Sequence, residues 1–224
     1  MYELGRYFAN NPTWHEEDSA WKASHVLRIL ERNHLRPRSV GEVGCGAGAV
    51  LRSLHDSLSE PTLSGFDISP DAIRLASPKA SPRLSFAVGD LFALGARFDV
   101  VIALDVFEHV EDCFEFLRDL RSVATHKVLH IPLEMSVLGV LRHLPERSRE
   151  AVGHLHFFTK DTAFALLSDT GYEVVDWHYT SRSVDLPRSY RSWLALGPRR
   201  ALHAIAPDWA PRLLGGFSVM VLAH

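Results

Sequence analysis

A short segment with three closely spaced glycines constrains the fold of this chain more than any other stretch. Residues 39–51 read Ser-Val-Gly-Glu-Val-Gly-Cys-Gly-Ala-Gly-Ala-Val-Leu, so an apolar run leads into the glycines and a helical apolar pattern follows them. This order predicts a strand, a tight turn and the first turn of a helix. In that geometry backbone N–H groups can approach a nucleotide-like ligand closely.

Predicted strands and predicted helices alternate after this glycine loop. The further strands are expected at 62–67, 84–88, 98–104, 127–131 (stopped by Pro132), 172–179 and 217–222. The alternation favours the α/β class, with a doubly wound, Rossmann-like, mostly parallel sheet and helices on both faces. Such sheets bind ligands beyond the carboxyl ends of their strands. We therefore expect the strand-end acids Asp67, Asp90 and Asp105 to converge at one edge.

Two kinds of cofactor are compatible with the loop. The spacing Gly44-x-Gly46-x-x-Ala49, with Asp67 about 20 residues further on, satisfies a loose dinucleotide fingerprint and leaves both NAD and S-adenosylmethionine open. NAD brings an anionic pyrophosphate, whereas S-adenosylmethionine carries a sulfonium and an ammonium group. Acids attract cations, so an acid-lined cleft favours S-adenosylmethionine. The acids expected there are Glu42, Asp67, Asp90, Asp105 and Glu108.

In this order the motifs resemble class I S-adenosylmethionine-dependent methyltransferases, most of all the broad subgroup that includes the ubiquinone and menaquinone biosynthesis methyltransferases. The resemblance covers roughly Ser39 to Val175 and leaves 185–214 uncovered. It implies a seven-stranded sheet with an antiparallel last strand, plus helical lid elements. The motifs that carry it are Glu42-Val43-Gly44-Cys45-Gly46-Ala47-Gly48, Asp67, Val88-Gly89-Asp90, Asp105-Val106-Phe107-Glu108-His109-Val110 and His154-Leu155-His156-Phe157-Phe158-Thr159.

The resemblance also implies roles for individual residues toward S-adenosylmethionine, with S-adenosylhomocysteine as the product. Asp67 would bind both ribose hydroxyls, and Ile68 would lie against the adenine. Asp90 would accept a hydrogen bond from the adenine amino group, and Leu91 would offer a backbone contact. Gly44, Cys45 and Gly46 would lie along the methionine portion, and Leu104 or Asp105 would hold the ammonium group. Glu42 and Gly48 are expected among the cofactor-binding residues as well.

Three histidines are candidates for catalysis: His109, His15 and His156. Methyl transfer from a sulfonium is an in-line displacement with a cationic leaving group, so an amine acceptor need only be neutral, but a hydroxyl acceptor needs a base. Packing or hydrogen bonding is the competing explanation for His109. His154 and His156 alternate on a strand-like run and should point the same way. A zinc pair is conceivable there, but no Cys or carboxylate cluster completes it, so no metal is expected.

The charge balance, 24 basic against 27 acidic residues, argues against a general polyanion binder. In addition, Leu104-Asp105-Val106-Phe107 stands where methyltransferases of nucleic-acid amines carry an Asn-Pro-Pro-Tyr-type signature. We therefore expect a small-molecule acceptor and no nucleic-acid partner. No apolar run approaches the ~18 residues of a membrane span. With two cysteines and no signal-peptide layout, a cytoplasmic location is expected; the oligomeric state is not indicated.

A single domain is predicted over 1–224. It would comprise an N-terminal helical leader (1–37), a cofactor-binding core (38–132) and substrate-side insertions at 133–152 and 183–215. Two other functions stay open at this point. One is an NAD-dependent oxidoreductase that uses the same glycine loop. The other is a non-catalytic binding module that keeps the fold.

Overall fold

One mixed sheet organises the chain. The computed structural model describes residues 16–186, 197 and 200–224, and seven strands pair in the order β3-β2-β1-β4-β5-β7-β6. The strands are β1 Ser39–Val43, β2 Thr62–Asp67, β3 Leu84–Val88, β4 Phe98–Leu104, β5 Ala124–Leu133, β6 Val174–Thr180 and β7 Phe217–Ala223. The first five are parallel, and β7 lies antiparallel between β5 and β6. The predicted α/β sheet with its antiparallel last strand is confirmed.

Helices precede, connect and follow these strands. Among the described residues they are α1 Ser19–Arg32, α2 Ala49–Ser57, α3 Pro70–Ala76, α4 Cys113–Ser122, α5 Val137–Leu141, α6 Leu144–Ala151, α7 Lys160–Asp169, α8 Arg182–Asp185 and α9 Trp209–Leu214. Helix α3 begins where Ser69 and Pro70 predict: the Ser69 hydroxyl accepts from the Ala72 N–H, and proline occupies the first helical position. Helices α5 and α6 occupy the predicted connection after β5.

The sheet buries both of its faces. On one face, Ile29 of α1 and Leu51 of α2 pack against alternate strand residues such as Ile102. On the other, Leu117 of α4 and Leu167 of α7 pack against the strand residues in between. Alternate residues of a strand point to opposite faces, so a strand covered on both sides must be apolar throughout. The continuous apolar run of β4 meets this condition.

The chain reverses direction across the sheet between β1 and β4. From β1 the chain moves outward to β2 and β3, and β4 then returns to the other side of β1. At such a reversal the loops after the two neighbouring strands diverge to opposite faces and leave a crevice. The glycine loop follows β1 and Asp105 follows β4, so the crevice lies between them.

Two local predictions differ from the structure. Strand β5 continues through Pro132 to Leu133. This is possible because the β4 ladder ends at His130, two residues earlier, so the missing proline N–H removes no bond to β4. Residues 153–159, predicted as strand-like, form no strand, and the Leu155 and His156 amides instead donate to the Glu108 carbonyl.

Candidate functional site

A large cavity opens at the carboxyl ends of the parallel strands. It has a volume of about 950 Å³. Ten of the predicted cofactor residues line it together with His109; Gly48 does not. The ten are Glu42, Gly44, Cys45, Gly46, Asp67, Ile68, Asp90, Leu91, Leu104 and Asp105.

The glycine loop requires glycine for two different reasons. Gly44, Gly46 and Gly48 all have positive φ, a region that other residues rarely adopt. The space around them is also restricted. A Cβ on Gly44 would lie 2.9 Å from a methyl of Val106, and one on Gly48 would lie 2.6 Å from the Phe86 ring. Gly48 is the residue before α2, so it sets the direction in which the chain leaves the loop.

Asp67 ties the loop to the end of β2. One carboxylate oxygen accepts from the Gly46 N–H at 2.9 Å, and the other accepts from the Ser69 N–H at 2.8 Å. Burial raises the pKa of Asp67, and the two backbone hydrogen bonds oppose this shift. Each oxygen retains a lone pair toward the cavity. The side chain is therefore held in place and can accept further hydrogen bonds, as ribose binding would require.

Glu42 is a buried acid beside the loop. Its side chain is almost fully enclosed, and Oε2 has no hydrogen-bond partner among the described residues. Burial raises the pKa of Glu42 to about 8; Asp67 adds to the shift and Lys22 opposes it. Leaving such a group unpaired costs free energy. A cationic group at this end of the cavity would supply the missing partner.

Asp105 is, by contrast, already paired. His130 Nδ1 donates to Oδ1 at 2.6 Å, and Lys22 Nζ of α1 lies 2.6 Å from Oδ2. The other ring nitrogen of His130 contacts the Thr180 hydroxyl at 2.8 Å. Burial alone would raise the pKa of Asp105, but His130 and Lys22 hold it well below the usual range. Of the two residues predicted to hold the ammonium group, Asp105 therefore has its carboxylate already occupied, and Leu104 lies beside it at the end of β4.

The adenine end of the cavity combines apolar and polar groups. Ile68 leaves about half of its side chain exposed, and Leu91 is buried behind it. Asp90 Oδ1 accepts from the Phe92 N–H at 2.9 Å, which fixes the turn after β3. All three residues line the cavity beyond the ends of β2 and β3.

The predicted catalytic histidines have different positions. His109 lies in the one-turn helix Phe107–His109 after β4 and lines the cavity. Burial, with a contribution from His154, lowers the pKa of His109 to about 4. His156 does not line the cavity, because its Nε2 donates to the Val110 carbonyl at 2.8 Å. His15 lies outside the described residues.

A further polar cluster was not anticipated. His154 lines the cavity, so His154 and His156 do not share one orientation. His154 Nδ1 lies 2.8 Å from Glu134 Oε2, and its ring centroid is 4.6 Å from that of His109. The expectation that no carboxylate cluster completes a pair of His154 and His156 stays a prediction, because His156 lies elsewhere; His154 instead lies beside Glu108 and His109. These contacts join segments that are far apart in sequence. The spacing of the residues therefore could not predict them.

No helix among the described residues is long and apolar enough to cross a membrane.

Comparisons with known proteins agree on one family. Ajmaline N-methyltransferase of Rauvolfia serpentina is 31% identical over 98 residues, which cover 40% of this chain and 33% of the relative. The mitochondrial ubiquinone biosynthesis O-methyltransferase of Schizosaccharomyces pombe is 29% identical over 126 residues, 48% of this chain and 45% of the relative. The chain thus spans less than half the length of either.

A solved structure shares the fold over nearly the whole chain. Magnesium protoporphyrin IX methyltransferase from Synechocystis PCC 6803, with S-adenosylhomocysteine bound, superposes with a TM-score of 0.63 at 19% identity. The match covers 92% of this chain and 83% of that one. The sequence model of the methyltransferase domain family matches residues 13–176, well over half of the 224 residues. The chain therefore belongs to the methyltransferase domain family.

Proposed function

We propose that this protein is an S-adenosylmethionine-dependent methyltransferase that acts on an O or N atom of a small-molecule acceptor. The observation that carries the proposal is Glu42, a buried carboxyl group with a partnerless oxygen beside the glycine loop. The methionyl ammonium of S-adenosylmethionine is a cation that can pair with such a group. A methyltransferase family membership and an acid-lined cleft support the same cofactor.

The same residues disfavour the dinucleotide alternative. A pyrophosphate at the glycine loop would have to lie near the carboxyl groups of Glu42 and Asp67. Near pH 7 the raised pKa of Glu42 leaves it protonated in the ligand-free fold, so it gives a pyrophosphate no favourable charge, and an ionised Asp67 repels one strongly where water is excluded. Lys22, the cation that acts on Glu42, already contacts Asp105 at 2.6 Å. An oxidoreductase using NAD is therefore the weaker interpretation.

Different residues of the chain would bind different parts of the cofactor. The Gly44–Gly46 backbone and Glu42 would hold the methionine portion, Asp67 the ribose hydroxyls, and Ile68 and Asp90 the adenine. When bound, S-adenosylmethionine supplies an activated methyl group on a positively charged sulfur. The protein then has to align the acceptor with that group and exclude water.

The acceptor would lie at the other end of the cavity. Glu108, His109 and His154 line that end, with apolar contributions from Leu144, Val152 and others. The His109 imidazole can accept a proton from a hydroxyl group when its remaining ring nitrogen is not bound to a cation. The matched relatives are named for N- and O-methylation alike, and both act on small molecules by name. We propose no nucleic-acid partner.

Calorimetric titration with S-adenosylhomocysteine tests the cofactor assignment. The wild-type chain should bind in the micromolar range. Asp67→Ala removes two hydrogen bonds to the ribose and loosens the loop, so affinity should fall about 100-fold or more. The matched control is Asp71→Ala, which alters a partly exposed acid on α3 outside the cavity.

Two results would contradict the proposal. One is a wild-type chain that does not bind S-adenosylhomocysteine; the other is equal affinity in both variants. NADH binding at the same site would revive the oxidoreductase interpretation. A thermal unfolding curve for each variant separates a lost contact from a lost fold.

A further inference from the structure

Three potential metal ligands meet at the acceptor end of the cavity. Glu108 and His109 come from the turn after β4, and His154 comes from the segment after α6. One ligand atom from each lies within 4.8 Å of the others. All three residues line the cavity, so an ion held between them would be accessible to a bound molecule.

Glu108 is a buried carboxyl group whose own backbone N–H and Lys22 only partly oppose the effect of burial on its pKa. The side chain is completely enclosed, and neither carboxylate oxygen has a hydrogen-bond partner among the other residues that the structure describes. The neighbouring charges are Asp105, Glu134 and Lys22, and Lys22 is already in contact with Asp105. An enclosed carboxylate is stable when it is paired or coordinates a metal. A cation is the partner that this position lacks.

The two histidines are oriented as ligands. The Glu134 carboxylate accepts from His154 Nδ1 at 2.8 Å, and its other oxygen accepts from the Ser148 hydroxyl at 2.6 Å. With the proton on Nδ1, Nε2 of His154 carries the lone pair. A carboxylate behind a histidine fixes the ligand in this way at many metal sites. The His109 ring is hydrogen-bonded to the Gly153 main chain, which orients it similarly.

We infer that Glu108, His109 and His154 form a binding site for one divalent transition-metal ion such as Zn²⁺ or Co²⁺, with an open coordination position toward the cavity. Two imidazoles and one carboxylate are a ligand set that these ions accept, whereas Mg²⁺ and Ca²⁺ prefer oxygen alone. Three protein ligands with one open position is the arrangement of catalytic rather than structural zinc sites.

The site would also select the kind of acceptor, an extension that rests on the proposed function. A hydroxyl group bound to the ion loses its proton to solvent more readily. Its oxygen then forms a bond to the methyl carbon, and the carbon–sulfur bond breaks with both electrons staying on sulfur. Acceptors with a hydroxyl group would be preferred over amines. The ion would favour loss of the proton from a bound hydroxyl group, whereas a protonated amine has no lone pair with which to bind the ion.

Metal binding can be measured without any methyl transfer. The full chain, stripped with a chelator, is titrated with Co²⁺ and followed by its visible absorption, with Zn²⁺ as competitor. One equivalent should bind to the wild-type chain. Glu108→Gln and His154→Gln should weaken binding at least about 100-fold, and Glu134→Gln about 10-fold. His156→Gln, which alters a histidine outside the cavity, should bind as the wild type does.

A second measurement needs no variant. In the histidine-labelled wild-type chain, Co²⁺ should shift or broaden the ring resonances of His109 and His154 much more than that of His156. A wild-type chain that binds neither ion, or equal losses in Glu108→Gln and His156→Gln, would overturn the proposal. S-adenosylhomocysteine binding is titrated in parallel on metal-free protein, so failure of the cofactor assignment and failure of the metal site give different results.

Discussion

Two carboxyl groups of the cavity, Glu42 and Asp105, have opposite electrostatic surroundings. Asp105 is in contact with a lysine and a histidine, which keep it ionised. Glu42 is more deeply buried and has an oxygen without a partner. Opposite charges favour ionisation and burial disfavours it, so the same kind of side chain titrates in different pH ranges. The difference makes Glu42 a group whose protonation reports on what occupies the cavity.

The free energy of unfolding should reveal the shifted titration of Glu42. This group titrates near 4.5 in the unfolded chain and near 8 in the ligand-free fold. Between these values the folded protein holds a proton that the unfolded chain has released, so the free energy of unfolding falls as the pH rises. Glu42→Gln abolishes this fall. As the pH rises from 4.5 to 8, the free energy of unfolding of the variant should increase relative to that of the wild type by a few kcal/mol.

Urea denaturation of both proteins at a series of pH values measures this gain. Only the change with pH matters, because the amide itself alters stability equally at every pH. Glu60→Gln, at an exposed acid outside the cavity, serves as the control and should follow the wild type. A pH-independent difference between Glu42→Gln and the wild type would contradict the prediction.

At the scale of secondary structure, the turn between β1 and α2 depends on close contacts with its neighbours. Gly48 approaches both Phe86 of β3 and Ala76 of α3, and it has φ of 75°. A side chain here would meet the ring at 2.6 Å in a backbone region unsuited to it. The loop, α3 and β3 therefore form one packed unit beneath the cofactor end of the cavity.

Gly48→Ala should be far more damaging than the same change at Gly95. The left-handed conformation costs about 1–2 kcal/mol for a residue other than glycine, and overpacking adds about 1–3 kcal/mol. Gly95 also has positive φ, but a Cβ there meets no atom within 4 Å. Gly95→Ala should therefore lose only the free energy that the left-handed conformation costs. Chemical denaturation measures both losses. Equal losses would show that the contact with Phe86 is unimportant.

Helix α1 is attached to the strand ends by a charged contact. Lys22 of α1 reaches Asp105 after β4, and both side chains are partly buried. Removing one partner leaves the other without compensation, while removing both avoids this penalty. The contact couples the position of α1 to the edge of the cavity.

A double-mutant cycle quantifies this contact. Lys22→Met should destabilise the fold by about 1–3 kcal/mol, because Asp105 keeps only His130 as partner. Lys22→Met in an Asp105→Asn background should cost clearly less. Thermal and urea unfolding of the four proteins give the coupling free energy. A coupling near zero would mean that solvent screens the pair completely.

At the scale of the whole molecule, the sequence predicted the sheet, and most of the proposed cofactor residues line one cavity at the strand ends. Glu42, Gly44, Asp67 and Asp90 lie within two residues of a strand end, and a parallel sheet gathers such positions at one edge whatever the details of packing. The continuous apolar run of β4 predicted a strand that is buried on both faces. The order of the motifs predicted the positions of the other elements. These features depend on local sequence pattern and on topology, so they can be predicted from a single sequence.

The acceptor end could not be predicted in the same way. Lys22 meets Asp105 only because α1 crosses the strand ends at one particular place. His154 and His156 were expected to be parallel because their segment alternates, but this segment has no ladder partner. The orientation of His154 is determined by its contact with Glu134, and that of His156 by its hydrogen bond to Val110. The Glu108 cluster likewise combines segments that no sequence spacing relates.

The insertion of β7 between β5 and β6 has a consequence for the order of folding. Within the described part of the chain, β6 pairs only with β7, and β7 pairs with β5 far back along the chain. Strands β1 to β4 can associate through short βαβ connections, but β6 has no place in the sheet until β7 has joined β5. Long-range antiparallel pairing carries a larger loop-closure entropy and is slow. The cofactor half of the protein can therefore form as an early intermediate, with the β5 edge temporarily exposed to association with other chains.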